Sequence, residues 1–201
     1  MNSTTESQQA ILEPEFIGFQ KIPRLSRSII ITEKIDGSNG QILVTNDAEV
    51  WIGSRSHWLW HTGQELPKDD NYGFARWCSE RIDEIKVLLG PGRHYGEFWG
   101  SGINRGYSLV KGEKRFSLFN VTRWRDQPLP RDFYVVPILA EHDAFDTTLI
   151  IAELEQLVFG GSRAMPGYSN PEGIVIYHKA GNLLFKKTIK GDDVPKGRIE
   201  A

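Results

Sequence analysis

The sequence predicts an α+β fold in which antiparallel sheets are flanked by helices. Short runs rich in β-branched residues are separated by turn residues, which is typical of strands. Only two segments show apolar residues at the three- and four-residue spacing of a helix. Strands and helices do not alternate one by one, so the parallel sheet built from βαβ units is not expected.

The first half of the chain is predicted to be mostly strand, with one helix. The strand-like runs here are residues 28–32, 40–45 and 50–54. From Phe74 to Leu89, apolar residues recur every three or four positions, which predicts a helix. Gly90-Pro91-Gly92 is expected to end it, because glycine and proline do not continue a helix.

The second half repeats this arrangement. Strands are predicted at 93–99, 115–124 and 133–139, then a helix at 147–158, then a hairpin of 172–178 with 182–189. Gly160-Gly161 is expected to end the helix, and Ala180-Gly181 to form the hairpin turn. The glycine-rich residues 100–106 are either a plain connector or a loop that orders over a ligand.

Composition indicates one globular domain. The chain has 201 residues, of which 39% are apolar and 25% charged. We expect a flexible N-terminal tail at 1–13, the domain at 14–190 and a charged tail at 191–201. The net charge of -2 means that any contact with nucleic acid must come from a local basic patch. Cys78 is the only cysteine, so an internal disulfide is excluded and a cytoplasmic, reducing location is expected.

The candidate site is centred on Lys34, in the run Glu33–Gly40 that closely follows the apolar residues 29–31. Burial of an ammonium group at the mouth of a sheet disfavours its charged form, which makes a lysine an amine nucleophile at neutral pH. Taken alone, Lys-x-Asp-Gly also fits a surface hairpin, since Asp-Gly is a common hairpin turn. The interpretation therefore depends on what else the chain contains.

Six motifs follow one another in an order that resembles the covalent nucleotidyltransferase superfamily, which includes polynucleotide ligases and mRNA-capping guanylyltransferases. They are Glu33–Gly37, Ser54-Arg55, Tyr95–Gly100, Arg115–Val121, Pro171–Ile176 and Leu184–Lys187. The similarity is greatest to the RNA-ligase branch, whose enzymes act in RNA repair. It implies a nucleotidyltransferase domain (the ATP-grasp-like ligase catalytic domain) without an OB-fold.

The resemblance implies a lysyl-AMP intermediate on Lys34, formed from ATP and assisted by Lys186 and Lys187. Adjacent strand residues point to opposite faces, so we expect Lys186 rather than Lys187 to enter the site. The family usually has a second lysine where this chain has Thr188. This departure leaves open whether end-sealing is retained.

The resemblance also assigns residues that bind the nucleotide and a metal. Glu97 and Glu172 would hold Mg²⁺ or Mn²⁺, because such hard cations prefer oxygen ligands. Phe119 would stack on the purine, unless it is a core residue, and Glu33 would read the adenine amino edge. The remaining nucleotide-binding residues implied are Ile35, Asp36, Asn39, Arg55, Glu97 and Lys186. Asn39 is either a ligand of phosphate or metal, or a turn residue.

The expected substrate is RNA, with nicked or single-stranded ends, and residues 54–63 are the expected substrate-facing loop. A protein partner is expected to replace the C-terminal domain that many relatives carry, and no membrane contact is expected. A phage origin follows from the resemblance alone. Four alternatives stay open: a DNA ligase, a capping guanylyltransferase, a non-sealing protein that binds nucleotides or RNA ends, and an AMP-transferase that modifies another target.

Overall fold

The computed structural model describes residues 15–192. The predicted N-terminal tail at 1–13 lies outside these residues, as does the predicted C-terminal tail except for residues 191 and 192. No helix in this range is long and apolar enough to cross a membrane.

Across residues 15–192 the chain forms ten strands and four α-helices. The strands are β1 (Ile29–Lys34), β2 (Ser38–Val44), β3 (Val50–Gly53), β4 (Trp58–His61), β5 (Gly92–Gly100), β6 (Lys114–Leu118), β7 (Phe133–Val135), β8 (Ile138–His142), β9 (Gly173–His178) and β10 (Leu183–Thr188). The helices are α1 (Phe74–Ser79), α2 (Ile82–Glu84), α3 (Val121–Trp124) and α4 (Thr147–Gly160).

The strands form two sheets. One has four strands in the order β10-β9-β1-β8, all antiparallel. The other has six strands in the order β4-β3-β2-β5-β6-β7. The α+β prediction is confirmed at this level, but the expectation of purely antiparallel sheets is wrong at one edge. There β6 and β7 are parallel, because α3 and the segment after it carry the chain back to the beginning of β6 before β7 starts.

Three predicted segments are divided differently in the structure. The predicted strand 115–124 stops at Leu118, and its last residues form α3, whose first turn is capped by the Asn120 side chain. The predicted strand 133–139 is split into β7 and β8, which belong to different sheets; Pro137 between them has no N–H to donate to a ladder. The predicted helix 74–89 is broken at Arg81, whose backbone leaves the helical region, and ends in a π-helical turn, Ile85–Leu89.

Three apolar clusters hold the two sheets and their helices together. The largest packs α1 against the six-stranded sheet through aromatic residues such as Phe74, Phe98 and Phe116. The second packs α4 against the four-stranded sheet and includes Ile29 and Ile31. The third lies between the sheets and includes Ile30, Ile35, Trp99 and Tyr107. Alternate residues of β1 therefore face α4 or the other sheet.

Candidate active site

Lys34 is the last residue of β1 and lies opposite Gly173, the first residue of β9. Its Nζ is 2.5 Å from Oε2 of Glu172, the residue just before β9. The Glu172 side chain is 5% exposed and that of Lys34 is 21% exposed. A carboxylate buried this deeply needs a charged or hydrogen-bonded partner, and Lys34 supplies one. The predicted nucleophile and one predicted metal ligand are thus in direct contact.

Residues 35–37 carry the chain from one sheet to the other. Ile35 packs between the sheets and its side chain is buried in the core, so the nucleotide contact predicted for it would have to come from its backbone. The backbone N–H of Asp36 donates to the Tyr107 hydroxyl at 2.8 Å. A Cβ on Gly37 would lie 2.3 Å from the carbonyl oxygen of Phe98, so no larger residue fits without moving β5. This crossing fixes where β2 begins relative to Lys34.

Glu97, on β5, accepts two hydrogen bonds, one from the residue just before β2 and one from β2 itself. The backbone N–H of Gly37 donates to Oε1 at 2.9 Å, and the Asn39 amide donates to Oε2 at 2.7 Å. Burial raises the pKa of Glu97 to about 7, although the Gly37 hydrogen bond and the charge of Lys34 oppose the shift; the charge of Glu172 adds to it. Asn39 is a strand residue that orients Glu97, so its reading as a turn residue is wrong.

Two residues of the glycine-rich segment 100–106 hold the Asp36 carboxylate in place. Arg105 Nε donates to Oδ2 at 2.8 Å, and Asn104 Nδ2 donates to Oδ1 at 3.0 Å. The Asn104 amide also reaches the Gly37 carbonyl, at 2.7 Å. Burial raises the pKa of Tyr107, so its hydroxyl stays neutral while it accepts from Asp36. Sequence reasoning missed these three residues; the glycines around them were the only signal.

Glu33 does not join the site. Neighbouring strand residues point to opposite faces, so its carboxylate faces α4 while Lys34 faces the other sheet. Its oxygens accept from the Ser162 hydroxyl at 2.6 Å and from the backbone N–H groups of Arg163 and Ala164 at 2.7 and 2.8 Å. Burial raises its pKa despite these three hydrogen bonds. The arrangement contradicts a role in reading the adenine edge, because both oxygens are engaged inside the protein.

The two lysines of β10 lie on opposite faces of the four-stranded sheet. Lys186 pairs with Val175, which pairs with Thr32, so Lys186 and Lys34 share a face. Lys187 is on the α4 side, and its Nζ donates to Asp192 at 2.9 Å. Thr188 is in register with Gly173 and so with Lys34, and its hydroxyl donates to the Lys190 carbonyl at 3.0 Å. The position where the family usually has a second lysine, occupied here by Thr188, therefore lies across the sheet from Lys34.

Phe119 and Arg55 both lie next to strands of the six-stranded sheet. Phe119 follows β6 and is partly exposed, and its N–H donates to the Tyr95 carbonyl at 2.9 Å. Because Glu97 pairs with Ser117, two residues earlier, Phe119 falls on the same face as Glu97. This placement separates it from the core residues Phe116 and Leu118. Arg55 is exposed in the turn between β3 and β4.

The two carboxylates of the site, Glu97 and Glu172, suit a metal ion that takes most of its ligands from substrate and water. Between residues 15 and 192 there is no group of three or more histidine, cysteine or acidic residues able to hold a metal ion alone. Mg²⁺ is commonly held by one or two carboxylates together with substrate phosphates and waters. Glu97 and Glu172 fit that requirement because they lie near each other and near Lys34: Lys34 contacts Glu172, and the charge of Glu172 helps raise the pKa of Glu97.

A protein-family model described as RNA ligase matches residues 27–190, which is most of the chain. The chain belongs to the RNA ligase family. No curated protein sequence matches it. Several solved structures of a Naegleria gruberi RNA ligase share its fold.

A variant of that ligase with ATP and Mn has a TM-score of 0.57 at 20% identity, over 81% of this chain and 49% of the other. A second variant, with AMP and Mn, has a TM-score of 0.55 at 21% identity, over 82% and 50%. The ligase with PPi has a TM-score of 0.55 at 20% identity, over 93% and 60%. At these identities the likeness is one of fold, and the chain spans about half to three fifths of the length of these proteins.

Proposed function

We propose that this chain is the nucleotidyltransferase domain of an ATP-dependent RNA ligase. It would form a lysyl-AMP intermediate on Lys34, pass AMP to an RNA 5′-phosphate and seal that end to a 3′-hydroxyl. The observation that carries the proposal is the contact between Lys34 and the buried Glu172, beside Glu97 where the two sheets meet. Membership of the RNA ligase family supports it.

The first step needs Lys34 as a neutral amine. Glu172 is positioned 2.5 Å away to accept the proton that Lys34 must lose. A bond then forms between Nζ and the α-phosphorus, while the bond from that phosphorus to the bridging oxygen breaks and pyrophosphate leaves with the electron pair. Because Glu172 takes up the Lys34 proton in this step, Glu97 would be the carboxylate that holds a divalent cation, which would neutralise negative charge on the phosphates.

The surrounding residues would place the nucleotide for this attack. Phe119 would stack on the base, and its partial exposure on the Glu97 face supports that role. Lys186 and Arg55 would contact phosphate oxygens, where fixed positive charge stabilises the developing negative charge. Asp36 and Asn39 would act mainly as positioning residues, because their side chains are held by Arg105 and Glu97.

The test is covalent labelling of the protein by nucleotides carrying the label in the α-phosphate, in the presence of Mg²⁺ or Mn²⁺. Wild-type protein should retain label from ATP on a denaturing gel, and Lys34→Ala should not. Lys179→Ala is the matched control, because Lys179 is an exposed lysine just beyond the opposite end of β9 and should leave labelling unchanged.

Other outcomes separate the alternatives. Label from GTP alone would favour a capping enzyme. Transfer of AMP to a 5′-phosphorylated DNA strand in preference to RNA would favour a DNA ligase. No label on a folded protein whose intact mass shows no bound AMP would favour a non-sealing protein that binds nucleotides or RNA ends, which the Thr188 departure also allows.

A further inference from the structure

A cluster of aromatic side chains covers the solvent-facing side of the β3–β4 edge of the six-stranded sheet. The Trp51 and His61 rings are stacked, with centroids 4.2 Å apart, and the Trp58 ring meets Trp51 edge-on at 5.6 Å. The Arg93 guanidinium lies 5.4 Å from the centre of the Trp58 ring. Together with Tyr95, these residues are called the aromatic platform below. Trp58 is 38% exposed and Tyr95 51% exposed.

The fold does not need these rings for its core. The opposite face of this part of the sheet is already filled by buried residues, among them Ile42, Ile52 and Trp60. Leaving large aromatic side chains in water forgoes the stabilisation that their burial would give. A surface of this kind therefore indicates a binding partner.

The aromatic platform is continuous with the candidate active site. Successive cross-strand pairs on one face of β2 and β5 are Asn39–Glu97, Gln41–Tyr95 and Leu43–Arg93. Each step of two residues advances about 6.8 Å along a strand, so the platform begins one step from Glu97 and reaches Arg93 about 14 Å away. Gln41 joins the two regions, since its amide oxygen accepts from Arg93 at 3.2 Å. A strand of RNA leaving the active site would cross these rings.

The chemistry of the platform suits single-stranded RNA. Proteins that bind single strands combine stacking aromatic side chains with cations that follow the backbone, and arginine adds cation–π contacts. The platform has three exposed or partly exposed indole and phenol rings and a guanidinium, and Arg55 lies in the turn beside Trp58. None of the platform's own side chains is acidic, although the chain as a whole has a net charge of -2.

We propose that the aromatic platform binds unpaired RNA bases next to the end that the enzyme seals. This inference rests on the proposed function and narrows its substrate to RNA that carries a single-stranded segment beside the reacting end. Trp58 and Tyr95 stack on bases, and Arg93 both orients the Trp58 ring and meets the backbone phosphates. The RNA-binding role predicted for residues 54–63 thus falls on a strand, β4, rather than on a loop.

The experiment measures the binding of a fluorescein-labelled, single-stranded oligoadenylate of twelve nucleotides by fluorescence anisotropy, without ATP. Trp58→Ala should raise the dissociation constant about fivefold or more, which is the lower end of the loss of one base stack. Trp58→Phe, which keeps a ring, should recover most of the affinity. Phe159→Ala is the matched control, because Phe159 is 97% exposed on α4, away from the platform, and should bind like wild type.

A second variant covers the case in which Trp58→Ala fails to fold, as judged by its circular dichroism. Arg93→Ala removes no aromatic ring, and it should weaken binding and make binding less sensitive to salt, because one phosphate contact is lost. The inference is overturned if both variants bind the oligoadenylate within twofold of wild type. It is also overturned if a blunt RNA duplex competes as strongly as the single strand, since paired bases offer no faces for stacking.

Labelling of wild-type protein by ATP is measured separately, so the two proposals can fail independently. If wild type takes no AMP but Trp58→Ala still loses oligoadenylate binding, the proposed function fails and the platform remains an RNA-binding surface. If wild type takes AMP and the platform variants bind RNA normally, only the inference about the platform fails.

Discussion

Glu97→Gln should make the protein more stable above neutral pH, although it removes a residue of the proposed site. Glu97 is buried and has its pKa raised to about 7. Gln can keep both hydrogen bonds, because its carbonyl oxygen can accept from the Gly37 N–H while its NH₂ donates to a rotated Asn39 amide. A protonated Glu97 would make the same pair of bonds. The variant therefore imitates the neutral form of the wild-type side chain.

The size of the effect follows from the shift in pKa. The folded protein holds the Glu97 proton up to about pH 7, whereas the unfolded chain releases it near 4.5. A raised pKa contributes stability that is fully present below pH 4.5 and is lost as the pH rises through about 7. At 1.36 kcal/mol for each pKa unit, wild type should lose about 2 to 3 kcal/mol relative to Glu97→Gln between pH 5 and pH 8.

Urea unfolding of wild type and Glu97→Gln at several pH values between 5 and 8 measures this difference. Comparing the two proteins at each pH cancels the titration of every other group. Glu65→Gln, at an exposed glutamate, is the matched control and should show no such trend. A difference between wild type and Glu97→Gln that stays constant over this range would refute the reasoning, because it would mean that Glu97 is ionised throughout. AMP labelling of Glu97→Gln should fall at the same time.

Three further predictions concern the surroundings of Lys34. Tyr107→Phe should cost about 1 to 2 kcal/mol in urea unfolding, since the partly buried Asp36 N–H loses its acceptor; an unchanged midpoint would contradict this. Gly173→Ala should cost about 2 kcal/mol or more, because Gly173 has φ 157° and a Cβ would lie 2.2 Å from the Lys187 carbonyl; a variant as stable as wild type would show that β10 moves away freely. Lys186→Ala should slow AMP labelling about tenfold or more and Lys187→Ala much less, because Lys187 is on the other face and pairs with Asp192; equal losses would contradict the assignment of faces.

Elements with a strong local pattern were predictable from sequence, and those decided by distant partners were not. The β9–β10 hairpin and α4 have apolar periodicity and glycine ends, and both are found close to the predicted residues. β4 was missed because its residues, Trp58–His61, lack a clean alternation and become a strand only by pairing with β3. The sequence did contain a signal for the break between β7 and β8, because proline rarely continues a strand and Pro137 lies between them.

The candidate site was predictable only through family resemblance. Lys34 and Glu172 are 138 residues apart, and no local pattern indicates that they touch. The strand periodicity did indicate that Lys186 and Lys187 would lie on opposite faces. The same periodicity places the side chains of Glu33 and Lys34 on opposite faces of β1, so the two cannot both point into one site. Asn104 and Tyr107 have positive φ without being glycine; asparagine adopts this conformation more often than other residues, but tyrosine does not, so the sequence contains no signal for it at Tyr107.

The three-residue crossing after Lys34 explains how one short segment can organise a site between two sheets. Lys34 ends β1 in the four-stranded sheet, and Ser38 begins β2 in the six-stranded sheet. Ile35 anchors the crossing in the core between the sheets, and Asp36 is clamped from the side by the loop that carries Arg105. Gly37 then brings the backbone close enough to β5 to donate to Glu97. The nucleophile and the second carboxylate are therefore positioned by the same three-residue crossing, so a distortion of the crossing should displace both together.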